Sequence, residues 1–176
     1  MRAAIALWVL SGCVPAESAN LAVDSRDPAL QSQRGVLTYR GRAFSGSVID
    51  DSDARYGQRI PYQRGLRHGL AQAFYPDGQL AYRRLYLHGL REGVHVGFWP
   101  GGQTQFVYRY SHDVFDGEQV GYYKNGVRSE LRNYRAGQEE GRQQIWDGQA
   151  RLTTNYTVKE GRRYGLVGRF DCVTVH

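Results

Sequence analysis

Two cysteines carry the most reactive side chains of the 176-residue chain, Cys13 near its start and Cys172 near its end. A thiolate can attack as a nucleophile, pair in a disulfide or bind a soft metal such as Cu(I). Cys172 lies four residues before His176, whose imidazole is a common metal ligand. Cys172 and His176 are therefore a candidate thiol or soft-metal site. The alternative is that Cys172 packs inside a final strand, because cysteine is among the most buried residue types.

The other histidines do not have the spacing of a metal site. His88 and His112 are 24 residues apart and occupy the same position of a repeat described below. Equivalent residues two strands apart in a sheet are separated by about 9.6 Å, too far to share one ion. His-x-x-x-His and paired-cysteine spacings do not occur in the sequence. We therefore expect no cofactor, and no metal other than a soft metal at the candidate site of Cys172 and His176.

Motifs for catalysis are not evident. Ser45 lies in Phe44-Ser45-Gly46-Ser47, which is not the Gly-x-Ser-x-Gly elbow of a nucleophilic serine. Adjacent carboxylates at Asp50-Asp51 and Glu139-Glu140 lie beside turns, where solvated side chains are expected. No glycine-rich loop followed by a helix, as phosphate binding requires, can be identified. The sequence predicts a protein that is not an enzyme.

The first thirteen residues indicate a targeting signal. Arg2 precedes an apolar stretch of eight residues, 3–10, which is too short to span a bilayer. The following Leu10-Ser11-Gly12-Cys13 resembles the bacterial lipobox, in which small residues precede a cysteine that is acylated and becomes the mature N-terminus. The resemblance implies a signal peptide over residues 1–12 and a lipid anchor on Cys13, since several acyl chains together anchor a protein stably.

The residue after the lipidated cysteine bears on localisation. In Gram-negative lipoproteins, an aspartate at this position favours retention at the inner membrane, and this chain has Val14 instead. The resemblance therefore implies an outer-membrane lipoprotein of the cell envelope that faces the periplasm. Residues 13–35 are polar, contain Pro15 and Pro28 and show no clear period. They predict a flexible tether, with a short strand as the alternative.

A 24-residue period runs through the rest of the chain. Each interval holds a turn dipeptide and, eight residues after the turn glycine, a tyrosine. An aromatic pair precedes the turn in three of them, Phe74-Tyr75, Phe98-Trp99 and Tyr122-Tyr123, and Ile145-Trp146 is a weaker fourth. The repeated glycines are Gly69, Gly93, Gly117, Gly141 and Gly165. The turn dipeptides are Asp77-Gly78, Gly101-Gly102, Asn125-Gly126 and Asp147-Gly148. The tyrosines are Tyr86, Tyr110, Tyr134 and Tyr156.

This pattern predicts one β-hairpin per repeat. The turn dipeptides tolerate a positive φ at both central residues of a two-residue hairpin turn. Strand-length segments rich in tyrosine, phenylalanine, valine and leucine separate the turns. We expect an all-β fold, an elongated antiparallel β-hairpin solenoid or meander. The predicted repeat domain covers residues 36–176, with a degenerate first unit at 36–57, clear repeats at 58–165 and a C-terminal cap at 166–176.

The repeated tyrosines allow two interpretations. Rings at fixed offsets fill a shared core, and glycines at fixed offsets permit positive φ. The functional alternative is an exposed ladder of Tyr86, Tyr110, Tyr134 and Tyr156 on one sheet face, because tyrosine is enriched on protein-binding surfaces.

The repeats resemble a known family. Tyr122-Tyr123-Lys124-Asn125-Gly126, followed by Tyr134-Arg135-Ala136-Gly137, is similar to MORN-type repeats in the variant found in YwqK-like bacterial proteins. The resemblance covers roughly residues 58–165 and implies a β-repeat fold that binds a partner rather than performing chemistry. YwqK-like proteins are often described as antitoxins or immunity proteins, and eukaryotic MORN proteins as scaffolds near membranes.

The charge pattern narrows the class of partner. The formal net charge is +6, but both signs are interspersed and no block of five like charges occurs. A nucleic-acid-binding stripe is therefore not expected, and neither is nucleic acid as a partner. The sequence predicts an envelope protein-interaction module with a protein partner, held at a membrane by its lipid anchor. The alternative is an antitoxin that neutralises a partner toxin, which the envelope signal makes less favourable.

Overall fold

The computed structural model describes residues 21–166, and no residue in this range is helical. The predicted signal peptide, Cys13, Cys172 and His176 lie outside the described residues. Within residues 21–166, the structure has no helix long and apolar enough to cross a membrane. The strands in this range are β1 (Ala22–Asp24), β2 (Leu30–Gln33), β3 (Val36–Tyr39), β4 (Arg42–Ala43), β5 (Gly46–Asp50), β6 (Gly57–Gln63), β7 (Leu66–Arg67), β8 (Gly69–Phe74), β9 (Leu80–Leu87), β10 (Leu90–Arg91), β11 (Gly93–Phe98), β12 (Thr104–Ser111), β13 (Val114–Phe115), β14 (Gly117–Tyr122), β15 (Arg128–Arg135), β16 (Gln138–Trp146), β17 (Leu152–Lys159) and β18 (Arg162–Leu166).

The strands form one long open sheet and one small sheet. The order in the long sheet is β1-β5-β6-β8-β9-β11-β12-β14-β15-β16-β17-β18, with the short strands β7, β10 and β13 paired beside β6, β9 and β12. All neighbours in it are antiparallel except β1 and β5. The prediction of an all-β, antiparallel repeat meander is confirmed. The small sheet, β2-β3-β4, lies at the N-terminal part of the described chain.

The first turn of each of the four clear repeats is a three-residue loop. In the loop of residues 76–78, the Tyr75 N–H donates to the Gln79 carbonyl (2.8 Å) and the Gly78 N–H donates to the Tyr75 carbonyl (2.9 Å). Gly78 has a φ of 85°. This is a hairpin loop whose last residue is left-handed, as three-residue loops require. The same two bonds close the loops that follow Trp99, Tyr123 and Asp147. The prediction of two-residue turns at the four dipeptides is wrong, because the strand register places one more residue in each loop.

The last of these loops also has a different turn residue from the one expected. The Ala150 N–H donates to the Asp147 carbonyl (3.0 Å), and Ala150 has a φ of 63°. Gly148, the predicted turn glycine, does not have a positive φ. Ala150 follows Gly126 by 24 residues, whereas Gly148 follows it by only 22, so the period continues unbroken through this loop.

The second turn of each repeat has the two-residue geometry. Both central residues have positive φ, which is the type I′ arrangement that matches the twist of antiparallel strands. These pairs are Arg64-Gly65, His88-Gly89, His112-Asp113, Ala136-Gly137 and Glu160-Gly161. Asp113 replaces glycine at a φ of 73°. Its carboxylate accepts from Arg91 Nε at 2.6 Å, and Arg91 thereby holds the pKa of Asp113 below its usual range.

Hydrogen bonds along the loop edge connect successive repeats. The second ring of each aromatic pair donates to the carbonyl of the first ring in the next repeat, 23 residues later. We name these bonds the edge ladder. They run from Tyr75 Oη to Phe98 (2.8 Å), from Trp99 Nε1 to Tyr122 (3.0 Å) and from Tyr123 Oη to Trp146 (3.0 Å). The aromatic pairs therefore serve both packing and the alignment of neighbouring repeats.

The N-terminal part of the described chain is folded onto the first repeat. Residues 21–35, which the sequence assigned to the flexible tether, contribute β1 and β2. Phe44 is buried in a cluster with Val23 and Val48, and its ring packs against Tyr39 and Tyr62 with centroids 6.0 Å away. This cluster joins the small sheet to the long one.

Candidate functional site

Three of the four predicted tyrosines occupy one position on one face of the long sheet. Each lies directly across from a repeat glycine: Tyr86 from Gly69, Tyr110 from Gly93 and Tyr134 from Gly117. In the next repeat the residue across from Gly141 is Val158, and Tyr156 pairs with Gln143. Tyr156 therefore lies two residues from the position that the other three tyrosines share, because the turn residue of its loop is Ala150 and not Gly148.

The tyrosines differ in exposure. Tyr86 is 8% exposed and Tyr156 is 6% exposed, so both rings belong to the packed interior of the face. Tyr110 and Tyr134 are half-buried and keep part of their rings accessible. An exposed ladder through all four residues is therefore not present, and the accessible rings lie in the middle of the sheet.

A continuous group of half-buried rings occupies this middle region. We name it the aromatic row, and it consists of Phe106, Tyr108, Tyr110, Phe115 and Tyr134. Neighbouring ring centroids in the row are 4.6–5.7 Å apart. These separations are typical of favourable aromatic pairs. Sequence analysis missed Phe106, Tyr108 and Phe115, since they fall outside the one tyrosine position that the period singled out.

Glycines on the adjacent strands let the rings lie flat against the sheet. Phe106 pairs with Gly97 on β11 and with Gly121 on β14. A Cβ added to Gly97 would collide with the Phe106 ring. The glycine-rich composition thus has a packing cause here, because a side chain at residue 97 would displace a ring of the aromatic row.

Arginines stack on tyrosines of the same face. The guanidinium carbon lies 3.9 Å from the ring centroid for Arg84 on Tyr82, 4.5 Å for Arg91 on Tyr110 and 5.4 Å for Arg67 on Tyr86. Such cation–π contacts are worth about 0.5–1 kcal/mol at accessible sites. These arginines place positive charge beside the rings of Tyr82, Tyr86 and Tyr110, on strands β9 and β12.

The second half of the face is charge-balanced. Tyr108 Oη donates to Glu130 (2.8 Å), and Arg132 forms ion pairs with Glu130 (3.0 Å) and Glu139 (3.4 Å). Burial, together with the hydrogen bond to Glu130, raises the pKa of Tyr108. Tyr108 is therefore a neutral hydrogen-bond donor at any physiological pH.

Three buried polar side chains recur beneath the rings at intervals of 24 residues. They are His95 (2% exposed), Gln119 (2%) and Gln143 (1%). Each contacts the carbonyl of the residue ten positions earlier, at Leu85, Arg109 and Asn133 respectively. Burial lowers the pKa of His95. Sequence analysis did not identify this set, although its 24-residue spacing is readable in the sequence.

His68, His88 and His112, the other histidines within residues 21–166, belong to no group that could hold a metal ion. The His68 and His88 rings have centroids 5.0 Å apart, and the His88 N–H faces His68 Nδ1 at 3.4 Å. Among residues 21–166, no group of three His, Cys, Asp or Glu side chains could hold a metal ion. Cys13, Cys172 and His176, the lipidation and thiol candidates, lie outside this range.

Comparison with known proteins identifies one repeat. Residues 67–88 match the family model described as the MORN repeat variant. The matched segment contains β8, the loop of residues 76–78 and β9, which are the elements that recur along the sheet. The chain therefore contains a MORN-type repeat within a repeat-built sheet. No curated protein is significantly similar to the chain.

Proposed function

We propose that the chain is a non-catalytic protein-binding module, carried by an envelope lipoprotein, and that it binds its partner through the aromatic row. The observation that supports this proposal is the row itself: five half-buried rings in contact on an open sheet face. Rigid amphipathic rings bordered by arginines are the residues enriched at protein interfaces. MORN-type repeats are consistent with an interaction module.

The envelope location rests on the sequence. The apolar stretch before Leu10-Ser11-Gly12-Cys13 and the small residues of that motif support acylation of Cys13. Wild type should be cleaved before Cys13, carry acyl mass and fractionate with the outer membrane, whereas Cys13→Ala should not. An unmodified full-length protein in the cytosol would contradict the lipoprotein proposal.

Photo-crosslinking tests which face binds. We would place a photoreactive phenylalanine analogue at Tyr110, in the aromatic row, and separately at Arg109, the adjacent exposed residue on the opposite face. Irradiation of intact cells should give a protein adduct from Tyr110 and little from Arg109. Adducts from Arg109 alone, or from neither residue, would contradict binding through the aromatic row.

The alternative is a YwqK-like antitoxin or immunity protein. Its only support is the resemblance of the repeats, and an immunity protein in the envelope would have to meet its toxin there. Recovery of a toxin in the Tyr110 adduct, and protection of cells against that toxin, would favour the alternative over a scaffold.

A further inference from the structure

An apolar groove opens on the aromatic side of the sheet, near the loops of residues 76–78 and 100–102. Its volume is about 560 Å³. Rings and prolines dominate its walls, which are formed by Arg55, Tyr56, Tyr75, Pro76, Ala81, Tyr82, Arg84, Trp99, Pro100, Gln105 and Phe106. None of these described residues is acidic. A groove of this size and composition can take a large apolar side chain.

Arg84 stands at the inner boundary of this groove. Together with Phe106 it also lines an adjoining cavity of about 250 Å³, whose other walls are Arg91, His95, Tyr108 and Tyr110. Arg84 is half-buried, and its guanidinium carbon lies 3.9 Å from the centroid of the Tyr82 ring. The stacking holds its planar fork of N–H donors in place between the two volumes.

The neighbouring arginines are already neutralised, but Arg84 is not. Arg55 pairs with Asp53 at 2.8 Å, and Arg91 pairs with Asp113 at 2.6 Å. Within residues 21–166, no carboxylate lies at ion-pair distance from Arg84.

The repeat provides an internal comparison for this unpaired charge. Arg132 occupies the position of Arg84 two repeats later, and it has Glu130 and Glu139 as partners. The residues at the positions of these two glutamates in the repeat of Arg84 are Tyr82 and Arg91. At the same position of the repeat, Arg132 is thus neutralised by glutamates of the chain, whereas Arg84 has no carboxylate partner within residues 21–166.

We propose that this groove binds an acidic peptide segment of the partner protein. A carboxylate side chain pairs with Arg84, and a neighbouring large apolar side chain enters the groove between Tyr82 and Trp99. A half-buried guanidinium forms charge-assisted, bidentate hydrogen bonds with a carboxylate. A polyanion such as an anionic lipid surface would need several uncompensated cations, and the arginines nearest to Arg84 in the walls already have aspartate partners. The proposal rests on the proposed protein-binding function and specifies the chemistry of the partner.

Selection from a random peptide display library against the purified full chain tests the proposal. Enriched peptides should carry an acidic residue next to an aromatic or large aliphatic residue. Synthetic versions should bind at least about tenfold more weakly when that acid is replaced by its amide, because a charge-assisted hydrogen bond is lost. Arg84→Gln should weaken binding to the same extent, and Arg84→Lys should retain part of it. Arg83→Gln removes the same charge from the opposite face and should change nothing.

Three results would overturn the proposal. Peptides could bind equally well to wild type and to a folded Arg84→Gln variant, or the amide versions could bind as well as the acids. Phosphatidylglycerol vesicles could bind in an Arg84-dependent manner while no peptide is enriched. If Arg84→Gln does not change peptide binding but the Tyr110 crosslink is still formed, the protein-binding function stands and only the groove proposal fails. If peptide binding does not depend on Arg84 and no crosslink forms at Tyr110, the protein-binding function fails as well. Thermal unfolding of each variant shows that the fold is intact.

Discussion

The Nε2 atom of His95 lies 2.9 Å from the carbonyl oxygen of Leu85, on the neighbouring strand. The same relationship recurs 24 residues later, where Gln119 Nε2 donates to the Arg109 carbonyl (3.0 Å) and Gln119 Oε1 accepts from the Arg109 N–H (2.8 Å). A histidine and a glutamine thus fill the same buried place. Both can offer a donor to the same backbone carbonyl, which explains why a polar residue is tolerated there.

We predict that His95→Gln leaves the stability of the protein nearly unchanged. Glutamine already occupies this position in the next repeat and supplies both a donor and an acceptor. His95→Ala should lower the free energy of unfolding by about 2–3 kcal/mol, because it removes a hydrogen bond and leaves a cavity beneath Tyr86 and Tyr110. Urea unfolding measures both changes, and the exposed His112→Ala is the control. A large decrease in the free energy of unfolding of His95→Gln would contradict the prediction that glutamine can replace histidine at this position.

The stability of the wild type should fall as the pH drops from about 6.5 to 5. Burial lowers the pKa of His95, and Arg84 and Arg91 add repulsion toward a protonated ring. Below the unfolded-state pKa, the unfolded chain therefore binds a proton that the folded chain does not, and unfolding becomes more favourable. The contribution of His95 to this loss is at most about 1.4 kcal/mol per pH unit.

His95→Gln isolates this contribution, because the remaining histidines are common to both proteins. The difference in unfolding free energy between the variant and the wild type should grow in favour of the variant as the pH falls. Parallel pH profiles for the two proteins would show that His95 does not titrate differently on folding. The aspartates whose pKa is lowered, such as Asp113, affect stability only as the pH falls toward and below the ordinary aspartate pKa, which is below the range from about 6.5 to 5.

The 24-residue period predicted the meander because the contacts that produce it lie between neighbouring strands of the sheet. A ring such as Phe106 needs glycine across from it on the next strand, and this pairing recurs in sequence wherever it recurs in space. The loop geometry was harder to predict. Asp-Gly fits a two-residue turn and the end of a three-residue loop equally well, and only the strand register separates them. Ala150 was missed because alanine carries no signature of positive φ.

The groove could not be found from the sequence for a different reason. Arg84 and Arg132 are both arginines at the same place in a 24-residue repeat, and the period alone does not distinguish them. Their difference lies in the residues beside them: Arg132 pairs with Glu130, two residues earlier on β15, and with Glu139, which reaches it from β16 only after the sheet has formed. Pairing that depends on tertiary contacts has no signal at the level of composition or period.

The position of the fourth loop can be tested by glycine exchange. Ala150→Gly should raise the free energy of unfolding by up to about 1 kcal/mol, because glycine adopts positive φ without the steric cost that alanine incurs. Gly126→Ala, at the same place in the preceding loop, should lower it by about 1–2 kcal/mol. Gly148→Ala should be neutral, since Gly148 has no positive φ and no atom within 4 Å of an added Cβ.

Chemical denaturation of the three variants gives the comparison. If Gly148→Ala costs as much as Gly126→Ala, and Ala150→Gly brings no gain, then the turn residue is Gly148 and the register described for this loop is incorrect.

The edge ladder should contribute to stability one repeat at a time. Tyr75→Phe removes only the hydroxyl that donates to the Phe98 carbonyl, and the bond is partly buried. We expect a loss of about 0.5–1.5 kcal/mol in the free energy of unfolding, the net value of one hydrogen bond. Tyr164→Phe is the matched control, because that residue is 55% exposed and should tolerate the change. In a repeat protein each unit contacts only its neighbours, so the loss of stability should be largest in the two repeats that this bond connects. Amide hydrogen exchange should therefore show faster opening around residues 75–98 than around 123–146, and equal acceleration along the whole sheet would argue against a ladder of local contacts.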